Sequence, residues 1–272
     1  MNERLRRIRA VFEFEFDISF PFPAAEALSI ILGVFVAMSI IMERTNFWFL
    51  VSPSAYNNSL GLVRIMYRIT YVDFHLLSLP LFNMTILSII AIPMLCAFRV
   101  AGPLENGVLR AMLSYPIKRR ELLILKAIEI MVLICLPITG GALVAIVLFN
   151  GLSIGFESLL VIISFWTLAF TILSSSFLLS VITKSSAKAA FSGIALWTIL
   201  LLVGMFAKIP VVLRGIPNPV ILTLSFFGGF PFGNQYNTDP VFNDVLISII
   251  VNLLIGIITF LASLRYFRRA EI

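Results

Sequence analysis

The sequence predicts an all-α membrane protein of six transmembrane helices, forming a single domain over residues 1–272, and three observations carry that prediction. Only 12% of the residues are charged, where a soluble domain has about 25%. Hydrophobic residues make up 60% of the chain and the mean hydropathy is +1.05, so too few polar side chains exist to cover a water-facing surface. Six apolar runs approach the roughly 20 residues that an α-helix needs to cross the hydrocarbon core: Ala25–Ile41, Leu76–Phe98, Ala127–Phe149, Ser158–Ile182, Ala189–Ala207 and Val245–Leu264.

The N-terminal segment, residues 1–22, reads as an interfacial helix. Its VFEFEFDISF stretch alternates with period two, which also suits a strand. As a helix, however, Leu5, Ile8, Phe12, Phe16 and Phe20 fall on one face. A lone strand beside a span would leave its backbone unpaired against lipid, which favours the helix. Pro80 and Pro93 in the second run and Pro137 in the third mark kinks or ends, because proline removes a backbone donor. Basic residues orient the spans with both termini in the cytoplasm, since 15 of the 20 Lys and Arg then lie inside, as the positive-inside rule requires. The net charge of +6 calls for no nucleic acid; anionic headgroups of the bilayer account for it. Of the two long outer loops, residues 42–75 carry a turn-rich SPSAYNNS patch. Residues 208–244 carry the apolar octet Val220–Phe227 between IPNP and a Gly-rich stretch. That octet is too short to span and predicts an outer re-entrant hairpin on the outer ends of the fifth and sixth spans. Leu224, Phe226 and Phe227 are its candidate gate residues.

Chemistry-bearing residues are sparse. Cys96 and Cys135 lie singly in apolar runs, which suggests buried small hydrophobes and neither a disulfide nor a thiolate metal site. His75 is the sole histidine, so no multi-histidine metal centre can form within one chain. No Walker pattern occurs, so no nucleotide or other cofactor is expected on this chain, and any ATP would be hydrolysed by another polypeptide. Glu129 lies one turn from Lys126, a spacing that suits a local ion pair. Asn83 and Asn252 read as bonding across helix contacts, and Ser174, Ser175 and Ser176 as close helix packing. The near-absence of ionisable residues in the spans argues against an ion-coupled secondary transporter or channel.

The polar segment between the second and third runs, residues 99–126, is the most specific. Within it, PLENGVLRAML offers a short helix with Leu104, Val108, Leu109 and Met112 as an apolar ridge, Tyr115–Pro116 a stop, and KRRELLILK a restart into the third span. The spacing of Glu105, Gly107, Leu109, Arg110, Leu113, Pro116, Arg119, Glu121 and Lys126 resembles the cytoplasmic coupling segment of ABC type-2 exporter permeases. Similarity extends to the six spans, the SVITKSSAKAA connection and the YFRRAE tail. The chain departs from that pattern around Glu105, where Gly102-Pro103 precede and Asn106 follows in place of further charges. The resemblance implies a cytoplasmic coupling helix, an inner-membrane permease subunit of an ATP-driven exporter, a separate cytoplasmic ATPase docking on the segment, and a second permease copy or paralogue. The cargo would be hydrophobic or amphipathic: a lipid, a peptide or a drug-like molecule. Permeases of similar length serve the copper-site maturation of nitrous-oxide reductase, but no Met or Cys cluster here supports copper. A non-transporting anchor or force-transmitting subunit would use the same segment.

Overall fold

In the computed structural model the described residues are 30–39, 83–107, 119–150, 156–206, 213, 215–226 and 241–269, and among them only helices and turns occur. Five helices are long and apolar enough to cross a membrane: α2 Asn83–Glu105, α3 Arg119–Asn150, α4 Phe156–Thr183, α5 Ser186–Phe206 and α7 Phe242–Arg269. A ten-residue apolar helix, α1 Ile30–Ser39, falls within the first expected span. The short α6, Pro219–Phe226, precedes α7. The N-terminal interfacial helix, residues 108–118, His75 and the C-terminal residues 270–272 lie outside the described residues.

Helix α4 is the centre of the bundle. It packs most extensively against α7, and also against α3, α5, α6 and the end of α2. Its buried Phe165, Leu168, Ile172, Leu173 and Phe177 supply much of the core. The same helix carries a run of hydroxyls, several of which it satisfies internally, whereas the buried Ser176 and Ser180 hydroxyls have no hydrogen-bond partner among the described residues. Ser164 donates to the carbonyl of Leu160 at 2.8 Å, Ser174 to Phe170 at 2.7 Å and Ser175 to Thr171 at 2.9 Å. Back-bonding of this kind lets polar residues occupy a lipid-embedded helix without orphaned donors.

Helix α3, at 32 residues, is about 48 Å long, more than the roughly 30 Å hydrocarbon core. It starts at Arg119, within the predicted KRRELLILK restart, and runs through Pro137. It crosses α1 where two glycines meet: a Cβ on Gly141 would strike the backbone of Gly33. Helix α2 also passes through its proline, Pro93, but its end differs from the sequence expectation. Pro103 lacks an N–H and its ring crowds the carbonyl four residues back, at Arg99. The backbone accordingly widens into a π turn over Ala97–Ala101, with the N–H of Gly102 bonded to the carbonyl of Ala97. The helix then stops at Glu105, Asn106 is its C-cap, and Gly107 takes φ +70°, the left-handed residue that ends many helices. The continuous helix expected over PLENGVLRAML is therefore broken at its glycine, and Leu104 packs against the core.

Candidate functional site

Two regions bring the chemistry-bearing residues together, one at each end of the bundle. At the first, Glu105 reaches across from α2 to the start of α5. Its Oε2 accepts the backbone N–H of Ser186 at 2.9 Å and the Ser186 hydroxyl at 2.9 Å. The first N–H groups of a helix have no partner within it and carry the positive end of its dipole, so a carboxylate is a natural cap there. Glu105 lies exposed, beyond the apolar run that ends at Phe98. The Ser186 bonds hold its carboxyl below the usual carboxylate range, with smaller help from Ser185 and Lys188. The connection that presents Ser186 is tight. Lys184, at φ +50°, donates its N–H to the carbonyl of Ser180 at 3.2 Å, and α5 begins two residues later.

Above this cap, α2 and α5 are joined by a seam of small residues. Ala97 and Ala101 of the π turn cluster with Ala189. Further along, a Cβ on Gly193 would sit 2.8 Å from Cβ of Pro93, so only glycine permits that approach. On another side of α2, Arg99 forms an ion pair with Glu129 of α3, Nη2 to Oε1 at 3.4 Å, with 9% and 2% of the side chains exposed. Glu129 thus pairs across a helix contact, with a partner that its spacing to Lys126 did not suggest. Lys126 is itself buried at 2% exposure. Two charges taken from water need each other: breaking such a buried pair by removing one partner costs about 3–5 kcal/mol.

Of the nine residues predicted for the coupling segment, the structure describes Glu105 and Gly107 at the end of α2, and Arg119, Glu121 and Lys126 at the start of α3. Glu121 occupies the first turn of α3, the end at which a negative charge is favoured. Leu109, Arg110, Leu113 and Pro116 lie outside the described residues.

At the second region, the chain after α5 turns back into the bundle. Asn218 caps α6 by accepting the N–H of Ile221 at 3.2 Å, and Pro219 takes the first helical position, an arrangement favoured at helix starts. Val220, Ile221, Leu222 and Thr223 are buried. Helix α6 packs against α4 and α7, the fourth and sixth expected spans. Polar groups fix it. Ser164 and Thr223 share a hydroxyl contact of 2.8 Å, Ser248 donates to the Gly215 carbonyl, and Asn252 Nδ2 donates to the Ile216 carbonyl at 2.7 Å. Thr171 in turn donates to Asn252 Oδ1 at 2.8 Å. Asn252 stands ten residues into α7, about 15 Å from the helix start, so the Gly215–Asn218 turn is held well inside the helix bundle. Irregular backbone is tolerated at that depth only when protein groups satisfy it, and Ser248 and Asn252 do so. Phe226 closes the open end of the hairpin against Phe242, with ring centroids 6.0 Å apart, and Phe156 meets the same ring at 6.1 Å. The Leu224 side chain and Phe227 lie outside what the structure describes.

Sequence reasoning picked out Asn252 but missed Ser164, Thr171, Thr223, Ser248 and Ser186. A signal was present for some of them: Ser248, Asn252 and Gly256 recur every four residues, which places a small and polar stripe on one helical face. Among the described residues no three His, Cys, Asp or Glu side chains gather as a metal site. A family model described as ABC-2 family transporter protein matches residues 77–227, more than half of the 272-residue chain, and takes in Glu105, Ser186 and α6 but not the α7 residues that hold α6. A comparison with curated proteins finds no match.

Proposed function

Because the chain belongs to the ABC-2 family of transporter proteins, we propose that it is the permease subunit of an ATP-driven exporter in the cytoplasmic membrane. It spans the membrane several times; in this reading the spans number six, with α1 inside the first and both termini cytoplasmic. A separate ABC ATPase docks at residues 99–126, and a second permease, identical or related, completes the path. The substrate is hydrophobic or amphipathic, in keeping with spans whose described ionisable residues lie toward the helix ends, most of them at the Glu105 end. The family match is the observation that carries the reading. Support comes from the Glu105–Ser186 contact, which ties the expected docking segment to a second spanning helix. Residues 215–226, set into the α4–α7 groove, close the opposite end.

The test is transport. The full chain and an ABC ATPase that co-purifies with it are reconstituted into vesicles, and ATP-dependent movement of fluorescent phospholipids, hydrophobic peptides and cationic dyes is followed. Movement of one class that depends on ATP hydrolysis supports the exporter. ATP turnover with no flux of any class would replace it with a force-transmitting membrane subunit.

A further inference from the structure

The contact between Glu105 and Ser186 joins residues 81 positions apart in sequence, and it continues a seam that begins well inside the membrane. Pro93 lies against Gly193, Ala97 and Ala101 against Ala189, and Glu105 against Ser186. Each contact involves a residue too small to deform, or a carboxylate whose removal leaves a helix start uncapped. Helices α2 and α5 therefore touch along one continuous line that ends where the polar segment begins. Between α2 and α3, Arg99 pairs with Glu129.

We propose that Glu105 is a positioning residue that transmits displacement of the docking segment to α5: its carboxylate fastens the α5 start to the α2 end, so that the two helices shift as one body. This rests on the exporter reading above. The physical basis is the cap itself. Its two hydrogen bonds are to the first residue of α5, one of them to backbone, so any shift of Glu105 along the membrane normal is imposed on the helix axis. A bond to a side chain midway along α5 would let the rotamer absorb the motion. The π turn over Ala97–Ala101 sits directly above the cap, and a locally widened turn of this kind is the place where a helix yields. Without the carboxylate, the end of α2 would bend at that turn and leave α5 behind.

The experiment uses the full chain, with Cys96→Ala and Cys135→Ala, co-purified with its ATPase and reconstituted. An environment-sensitive fluorophore is attached either at Ile199→Cys, exposed on α5, or at Asn106→Cys, exposed beside the cap. In the parent complex both labels respond to Mg-ATP. In Glu105→Ala the Asn106 label still responds, while the Ile199 response is lost. Glu105→Gln restores part of it, because the amide oxygen still accepts the Ser186 N–H. Should Glu105→Ala fail to accumulate, Glu105→Gln and Ser186→Ala carry the test, each weakening one half of the contact and each lowering the Ile199 response. An Ile199 response undiminished in these variants overturns the proposal and leaves the exporter reading standing. A parent complex that binds no ATPase, or in which neither label responds, removes both.

Discussion

Thr171 of α4 and Asn252 of α7 meet at 2.8 Å near the middle of their helices, and through the second end of the Asn252 amide this pair also holds the carbonyl of Ile216 in the re-entrant turn. One side chain thus joins two spans and a loop, at a depth where water cannot substitute. Replacing it leaves the Ile216 carbonyl without that donor. Asn252→Ala is expected to cost about 1–3 kcal/mol, the penalty for an orphaned buried polar group. Thr171→Val, which leaves the Ile216 bond intact, should cost about 0.6 kcal/mol, an average for interhelical bonds in membranes. Thermal unfolding in detergent checks the order: equal losses from the two variants would show that the turn does not depend on Asn252.

The Arg99–Glu129 pair predicts non-additivity. Arg99→Ala or Glu129→Ala alone should destabilise by up to about 3–5 kcal/mol, because each removes one member of a buried ion pair. The double variant Arg99→Met with Glu129→Leu should lose less than either single change, since it restores an apolar contact of similar volume. A double variant as unstable as the sum of the singles would mean that the two side chains act independently.

How far these features were legible in the sequence depended on whether they were local. Span-length apolar runs and the helix-breaking character of residues 216–219 could be read from composition and spacing, because each is decided within one or two turns of chain. The stop at Gly107 was misread. The apolar periodicity of PLENGVLRAML favoured a longer helix, yet a glycine able to take φ +70° behind Asn106 is a stop signal that outweighs the ridge. Pairings across the bundle were hidden for a different reason. Glu129 had a basic residue one turn away in its own helix, and no one-dimensional pattern says that Arg99, thirty residues earlier, pairs with it. The Ser186 cap was invisible likewise, since its acceptor comes from another helix.

Two backbone positions give predictions of opposite sign. Lys184 sits at φ +50° and Gly107 at φ +70°, a region that costs a side-chain-bearing residue about 1–2 kcal/mol. Lys184→Gly should therefore raise the thermal midpoint. Gly107→Ala should lower it, although nothing within 4 Å crowds the added methyl. A rise for Gly107→Ala would place the strain elsewhere.

Helix crossings give a steric prediction. At Gly141 an added Cβ would meet the Gly33 backbone, which cannot rotate away as a side chain can. Gly141→Ala should thus separate α1 from α3 and reduce folded yield in membranes more than Gly140→Ala, where the same methyl has nothing within 4 Å. Comparable yields for the two would show that α1 is not held at this crossing.

The central claim is that a separate ATPase drives this chain by docking on residues 99–126. Its most direct test is co-purification of a Walker-motif ATPase from the native membrane with the full-length protein and with Leu113→Asp. A carboxylate cannot be buried unpaired at a packed contact, so the account predicts that Leu113→Asp inserts normally into the membrane and loses the ATPase. Recovery of the ATPase in undiminished amount with the inserted variant would contradict it.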